Sequence, residues 1–230
     1  MVRHAPPASL GLLLLCCLAP DAGARGTPLS VRLTSRGYEQ LAHKRGVRVY
    51  RDSRARVPGI GAEGIFPMPP DVLLATLVDF RRHVGRIAHV AESRILKRQG
   101  QWQLVYQRLD LPLISDRDFT LWVRWGRDKQ TRWVEFHAVP YGPATRRGVV
   151  RVRHHVGNWE LRPIHNGKAT LARYQVSIDL AGYLPGWMAR SGAGKEIPAL
   201  FAAISSLAAG TRPRACSTPR SRVAPPLRAR

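Results

Sequence analysis

The side chains best suited to chemistry are Glu135 and His137 in RWVEFHAV (132 to 139) and His154 and His155 in VVRVRHHVGNWELRPI (149 to 164). A carboxylate and an imidazole converging on one buried point could serve as general base and general acid. Both stretches alternate apolar and polar residues, which predicts strands. Adjacent strand residues face opposite ways, so at most one of His154 and His155 points inward. Glu135, His137 and His154 are the residues whose loss would test an enzymatic role. The competing reading of each is a core or surface residue whose polar atoms are already satisfied.

Other chemistries lack their residues. A zinc site needs three or four convergent N, S or O ligands, and the chain has no mature CxxC pair, no HExxH and few acids in its strand-like stretches. The GxSxG elbow of a hydrolase is absent, with Ser191-Gly192 away from any strand-to-helix turn. GAGKE (192 to 196) is too short for a phosphate-cradling loop. No catalytic residue, metal or cofactor is therefore expected, and the chain is read as a non-enzyme. Asp116, Arg117 and Asp118 form a compact charged turn in which one carboxylate caps the loop and Arg117 pairs with another, fixing strand register. Direct contact of this turn with a ligand is the alternative.

The elements that would position these residues follow from periodicity. TSRGYEQLAHKR (34 to 45) has a cap and helical composition and precedes a strand, GVRVYRDS (46 to 53). VPGIGAEGIFPMP (57 to 69) reads as a glycine-rich strand. PPDVLLATLVDFRRHVGRI (69 to 87) opens with prolines and Asp71 and repeats apolar residues at Leu73, Leu77, Phe80 and Val84, which predicts a helix. ESRILKR (92 to 98), WQLVYQRL (102 to 109), DFTLWVRW (118 to 125), 132 to 139, 149 to 164 and ATLARYQVSIDL (169 to 180) are β-branched or aromatic runs between short turns. Connections this short imply antiparallel neighbours.

The chain then passes Gly182 and Pro185 into a helix with Ile197, Leu200, Phe201, Ile204 and Leu207 on one stripe. A sheet with one apolar face needs a cover, so this stripe should close its concave side. Pro198 removes one helical hydrogen bond at a cost of roughly 3 kcal/mol. With Gly192 and Gly194 just before it, a kink or break is expected between 192 and 198; Pro198 as the first residue of a second helix is an equal alternative.

The ends differ from this middle. Arg3 and His4, the apolar run 10 to 19 and Ala22-Gly23-Ala24 resemble a secretory leader cleaved after Ala24. The run falls short of the about 20 residues that span a bilayer, and an uncleaved membrane-proximal helix is the alternative. Cleavage would leave Cys216 as the only cysteine, excluding an internal disulfide. The expected organisation is a leader (1 to 24), a flexible segment (25 to 33), one domain (34 to 209) and a disordered Arg/Pro-rich tail (210 to 230). The formal net charge is +22. Such a surface attracts phosphates on anionic lipid or on nucleic acid, although charge alone names no partner.

SIDLAGYLPGWM (177 to 188), GVVRVRHHVGNWELRP (148 to 163), SDRDFTLWVRW (115 to 125) and EGIFPMPPDVLLATLVDF (63 to 80) together resemble the START family of lipid-transfer domains, in order and spacing, over roughly residues 34 to 209. The resemblance implies an α+β helix-grip fold: a curved antiparallel β-sheet wrapped around a long C-terminal α-helix, with a lipid-sized tunnel between them. In cholesterol-binding relatives a buried arginine follows the R-D-F motif; counted from Arg117, Asp118 and Phe119, that position is Val123. The tunnel is then more apolar here, which puts a sterol ligand in doubt.

The expected function is non-catalytic binding or transfer of a lipid or other hydrophobic molecule by an exported, periplasmic or secreted monomer that touches anionic membrane surface transiently. Nucleic acid is not an expected partner, because export separates the chain from it. By strand parity the ligand-facing residues are Leu104, Tyr106, Phe119, Leu121, Val123, Val134, Phe136, Val152, Trp159, Leu161, Tyr174, Val176 and Ile178, closed by Trp187, Ile197, Phe201 and Ile204. Two alternatives remain: a cyclase- or aromatase-like enzyme on the same scaffold, and an extracytoplasmic binder of anionic polymer.

Overall fold

The computed structural model describes residues 31–54, 57–180 and 186–210, the last from 192 onward with side chains. The expected leader and all of the tail beyond Gly210 lie outside the described residues. Among the described residues ten strands and two α-helices follow in the order β1 (Glu39–Lys44), β2 (Val47–Asp52), β3 (Gly59–Phe66), α1 (Pro70–Val78), β4 (Val90–Gln99), β5 (Trp102–Leu109), β6 (Asp116–Asp128), β7 (Thr131–Val139), β8 (Val149–Arg151), β9 (His154–Ile164), β10 (Ala169–Asp179) and α2 (Gly186–Ala209). The strands form one curved sheet in the order β1-β2-β3-β10-β9-β7-β6-β5-β4, with β8 beside β6. Every neighbouring pair is antiparallel except β6 and β8. This is the expected α+β, helix-grip architecture.

Three local expectations are corrected. The helix expected at 34 to 45 is a single 3-10 turn at Thr34–Arg36 followed by β1. Lys44 pairs with Val47 across Arg45 and Gly46, whose φ values of 53° and 74° are those of a tight hairpin turn; pairing with β2 overrides the helical composition. The helix expected at 69 to 87 stops at Val78, gives way to a 3-10 turn at Phe80–Arg82, and leaves Val84 exposed. Of the kink or break expected between 192 and 198, the break does not occur, and Pro198 does not begin a second helix, because α2 runs through it. The hydrogen bond that Pro198 cannot make is outweighed by the stripe around it: Phe201, Ile204, Leu207 and Ala208 are buried, and Ile197 and Leu200 pack against the core.

α2 lies against α1, β1, β2 and β3, and α1 lies against β7, β9 and β10. The contact between α2 and the sheet is made of rings. Phe201 stacks on Phe66 with centroids 5.2 Å apart and meets Trp159 at 5.2 Å. Trp159 stacks on its cross-strand partner Tyr174 at 4.5 Å, and Phe136 continues the row. Gly64 makes the close approach possible, since a Cβ there would sit 2.9 Å from the Phe201 ring.

On the opposite face, Glu63 of β3 lies between its register partners Arg48 of β2 and Arg173 of β10. Arg48 donates to Glu63 at 3.1 Å and Arg173 at 3.0 Å. A row of opposite charges across three strands resists slippage, which would turn each side chain to the wrong face. At the start of α1, Arg132 grips Asp71 with two hydrogen bonds of 2.9 and 3.1 Å, placing a carboxylate at the helix end that favours one.

Truncating Phe201 to alanine removes the ring that joins helix to sheet, and a loss of about 3–5 kcal/mol is expected in urea unfolding. Gly64→Val is expected to cost about 1–3 kcal/mol by displacing the same ring. Equal midpoints for wild type and both variants would contradict the packing described.

Acid sensitivity follows from His83, which is 7% exposed, packs on Phe80 at 4.7 Å and has a buried Nε2 without a hydrogen-bond partner among the described residues. Burial pulls its pKa from 6.5 down to about 4. The unfolded chain therefore takes up this proton first, so stability present above pH 6.5 is lost as pH falls towards 4, by about 3 kcal/mol at most. Urea midpoints at pH 7 and pH 4.5 should differ less in His83→Leu than in wild type.

Candidate ligand-binding site

The concave face of the sheet is set by the pairing. Val123 pairs with Gln103, Leu121 with Val105, and Phe119 with Gln107. Val134 and Phe136 of β7 pair with Trp159 and Gly157 of β9, and Tyr174, Val176 and Ile178 of β10 pair with Trp159, Gly157 and His155. Gly157 leaves room for the Phe136 ring, which a Cβ there would meet at 2.5 Å. With Leu161 and Val152, these apolar side chains share one core with Phe201 and Ile204, and Ile197 packs against it. Trp187 lies on α2, but its side chain is outside the described residues.

Leu104 and Tyr106 are corrected to the outer face. Leu104 pairs with Trp122 and Tyr106 with Thr120, so the β5 residues that turn inward are Gln103, Val105 and Gln107. The reason is a hydrogen bond from Gln103 Nε2 to the carbonyl of Val78, 2.8 Å away at the last residue of α1, a helix end whose carbonyls lack intrahelical donors. Gln107 in turn donates to Ser93 Oγ at 3.1 Å. Tyr106 is fully buried on this outer face, with the Arg94 guanidinium 5.1 Å from its ring centroid.

The charged turn works as a clamp. Asp118 is fully buried, accepts two hydrogen bonds from Arg151 at 2.6 and 2.9 Å, and accepts another from the Tyr106 hydroxyl at 3.2 Å. Arg117, 2% exposed, donates to the carbonyls of Leu180 and Ser115. It thereby fastens the end of β10, just before the chain turns towards α2.

The residues considered for acid-base chemistry do not converge. Glu135 faces outward and accepts from Arg124 at 2.9 Å. His137 shares that face, 5.2 Å from the Trp122 ring, with its pKa lowered by burial. His154 is exposed, 2.9 Å from Ser177 Oγ. His155 is the inward member of the pair, edge-on to Phe119 at 4.6 Å and Phe136 at 5.3 Å. Burial, with a smaller push from His154, holds its imidazole neutral at a pKa of about 3, and its buried Nδ1 has no partner among the described residues. Among the described residues no group of three or more His, Cys, Asp or Glu could hold a metal ion.

Under the first half of α2 lies a cavity of about 340 Å³ walled by Leu41, Val57, Pro58, Ile60, Val176, Ile178, Leu180 and Ala193, with Arg51 and Asp179 as its charged members. Two further clefts, of about 630 and 460 Å³, separate the second half of α2 from the loop at Gly85 to His89 and the start of β4. That loop approaches α2 through His89, 3.9 Å from Glu196. Sequence reasoning missed Arg51, though the alternation Val47, Val49, Arg51 places it on the valine face of β2. It also missed Gln103 and Gln107, whose inward direction depends on pairing with β6.

No protein-family model matches the chain, and no curated protein matches it. Solved structures do match. A STAR-related lipid transfer protein from Xanthomonas axonopodis is 22% identical and superposes with a TM-score of 0.68, covering 75% of this chain and 99% of that one. Human STARD10 is 18% identical with a TM-score of 0.65, covering 76% and 74%. Human StAR-related lipid transfer protein 5 is 18% identical with a TM-score of 0.64, covering 77% and 90%. The chain shares the helix-grip fold of the START-related lipid transfer domains.

Proposed function

We propose that this chain is a non-catalytic carrier that holds one hydrophobic, lipid-like molecule between the concave face of its sheet and α2. The observation that carries the reading is the cavity of about 340 Å³ beneath α2, walled by aliphatic side chains on β3, β10 and α2. Its size falls at the lower end of small-molecule sites, which enclose about 300–1,000 Å³. Burial of apolar ligand surface there is worth about 25 cal/mol per Å², enough for binding without a dense set of polar contacts. The fold's occurrence in lipid transfer proteins of low sequence identity supports the same reading.

The proposal includes a route for the ligand. The cavity's mouth lies where Ala193 of α2 meets Leu41, Val57 and Pro58, so lifting the first half of α2 exposes the interior while the ring-packed second half stays seated. The basic surface, with a formal net charge of +22, would hold this mouth against anionic lipid, an attraction that salt screens over about 10 Å at 0.1 M. Export through residues 1 to 24 belongs to the same proposal; a mature chain beginning at Arg25 by mass spectrometry checks it.

Native mass spectrometry of gently purified protein should reveal a bound lipid, and a fluorescent lipid should move between vesicles faster in its presence. Val176→Trp, which fills the cavity, is expected to slow transfer at least tenfold while leaving thermal unfolding cooperative. A protein that carries no lipid and moves none, as purified wild type, would end the reading.

A further inference from the structure

Among the described residues that wall the cavity beneath α2, all but Arg51 and Asp179 are apolar. Arg51 pairs with Ile60 across β2 and β3 and so faces α2 rather than the outer surface. Its neighbours in the same cavity are Ile60, Val176, Ile178 and Leu180.

Several arginines elsewhere on the sheet are matched to acids, while Arg98 and Arg162 are exposed and Arg117 donates to backbone carbonyls. Arg48 and Arg173 meet Glu63, Arg94 meets Glu92, Arg108 meets Asp116, Arg124 meets Glu135, and Arg151 meets Asp118. Arg51 makes no hydrogen bond or ion pair with any described residue, and its Nε is buried without an acceptor. Two acids stand nearby without meeting this need. Glu39 is the register partner of Arg51 on β1, but it is exposed and forms no ion pair with it. Asp179 lies at the rim and, next to inward-facing Ile178, turns to the other face of β10.

Arg51 is half-buried, and it is its Nε–H that lies against the aliphatic walls without an acceptor among the described residues, a cost that an anion on the guanidinium would remove. Its planar fork matches a carboxylate or phosphate through two parallel hydrogen bonds, which a lysine could not reproduce.

We propose that this cavity binds a single-chain amphiphile with an anionic head, the head on Arg51 and the chain along Ile60, Val176 and Ile178 under α2. The inference rests on the carrier reading above and names the class of its ligand. The volume suits one chain, so a two-chain phospholipid is not the occupant of this site. The shared head chemistry is an oxyanion: a long-chain acid supplies a carboxylate, and an alkyl phosphate supplies a phosphate monoester.

The test compares hexadecanoic acid, hexadecyl phosphate, hexadecanol and inorganic phosphate by calorimetry or by displacement of a fluorescent fatty acid, on the full chain and on Arg51→Met. Met keeps the length and apolar stem of the side chain and removes its charge. At least one of the two anionic amphiphiles should bind wild type ten times more tightly than hexadecanol. Arg51→Met should lose that preference while binding hexadecanol as wild type does, with an unchanged melting temperature. The better of the two anionic probes identifies the head group.

If hexadecanol binds wild type as tightly as both anionic probes, or the preference survives in Arg51→Met, the anion site is overturned and the carrier reading stands. If inorganic phosphate displaces the fluorescent acid at the same concentration as hexadecyl phosphate, the chain contributes nothing and the amphiphile is overturned. If no chain-bearing probe binds wild type and no lipid copurifies, the carrier reading falls first and this inference with it.

Discussion

The structure depends on the seating of Phe201 between Phe66 and Trp159, in the space that Gly64 leaves open. This contact joins α2 to β3 and β9, strands far apart in sequence, and it fixes the height at which α2 crosses the sheet. Where rings meet rings, at β3, β9 and β10, the interior is filled. Towards the other end of α2 the walls are Ile60, Val176, Ile178 and Ala193, and space remains. One end of the helix is thus anchored by aromatic packing, and the cavity is a consequence of where that packing stops.

Around this anchor the polar groups divide the molecule by face. Outside, acids and arginines form cross-strand pairs, with Glu63 shared between Arg48 and Arg173, and Asp118 held by Arg151 and Tyr106. Inside, polar atoms are few and each has a distinct environment. Gln103 satisfies the end of α1, His155 is kept neutral by its aromatic neighbours, and Arg51 is charged without a partner among the described residues. A low-dielectric interior penalises such groups unless a partner arrives, which is why the unpaired ones carry the functional argument.

Much of the fold was legible in the sequence, for reasons visible in particular elements. β5 occupies the residues expected from its β-branched and aromatic run, and the stripe from Ile197 to Leu207 has the spacing of a buried helix face. The faces were harder to read. In WQLVYQRL alternation puts Leu104 and Tyr106 on the expected inner row, yet the row that turns inward contains Gln103 and Gln107. That choice belongs to the register with β6 and to the Val78 carbonyl, neither of which the local pattern contains. The segment 34 to 45 had a helical composition, and a two-residue turn at Arg45 and Gly46 outweighed it by supplying a strand partner.

The amino-acid sequence by itself determined most of the strands, β1 excepted, as well as which segment is the closing helix and which stripe of that helix is apolar. These follow from residue type and spacing, and both act within a few residues of chain. Tertiary structure alone decided which side of β5 faces α2, that His155 and not His154 points inward, and that Arg51 stands beside a cavity and forms no ion pair with a described residue. Those outcomes depend on long-range pairing and on how completely two surfaces fill the space between them, a property of shapes brought together rather than of any one stretch of chain.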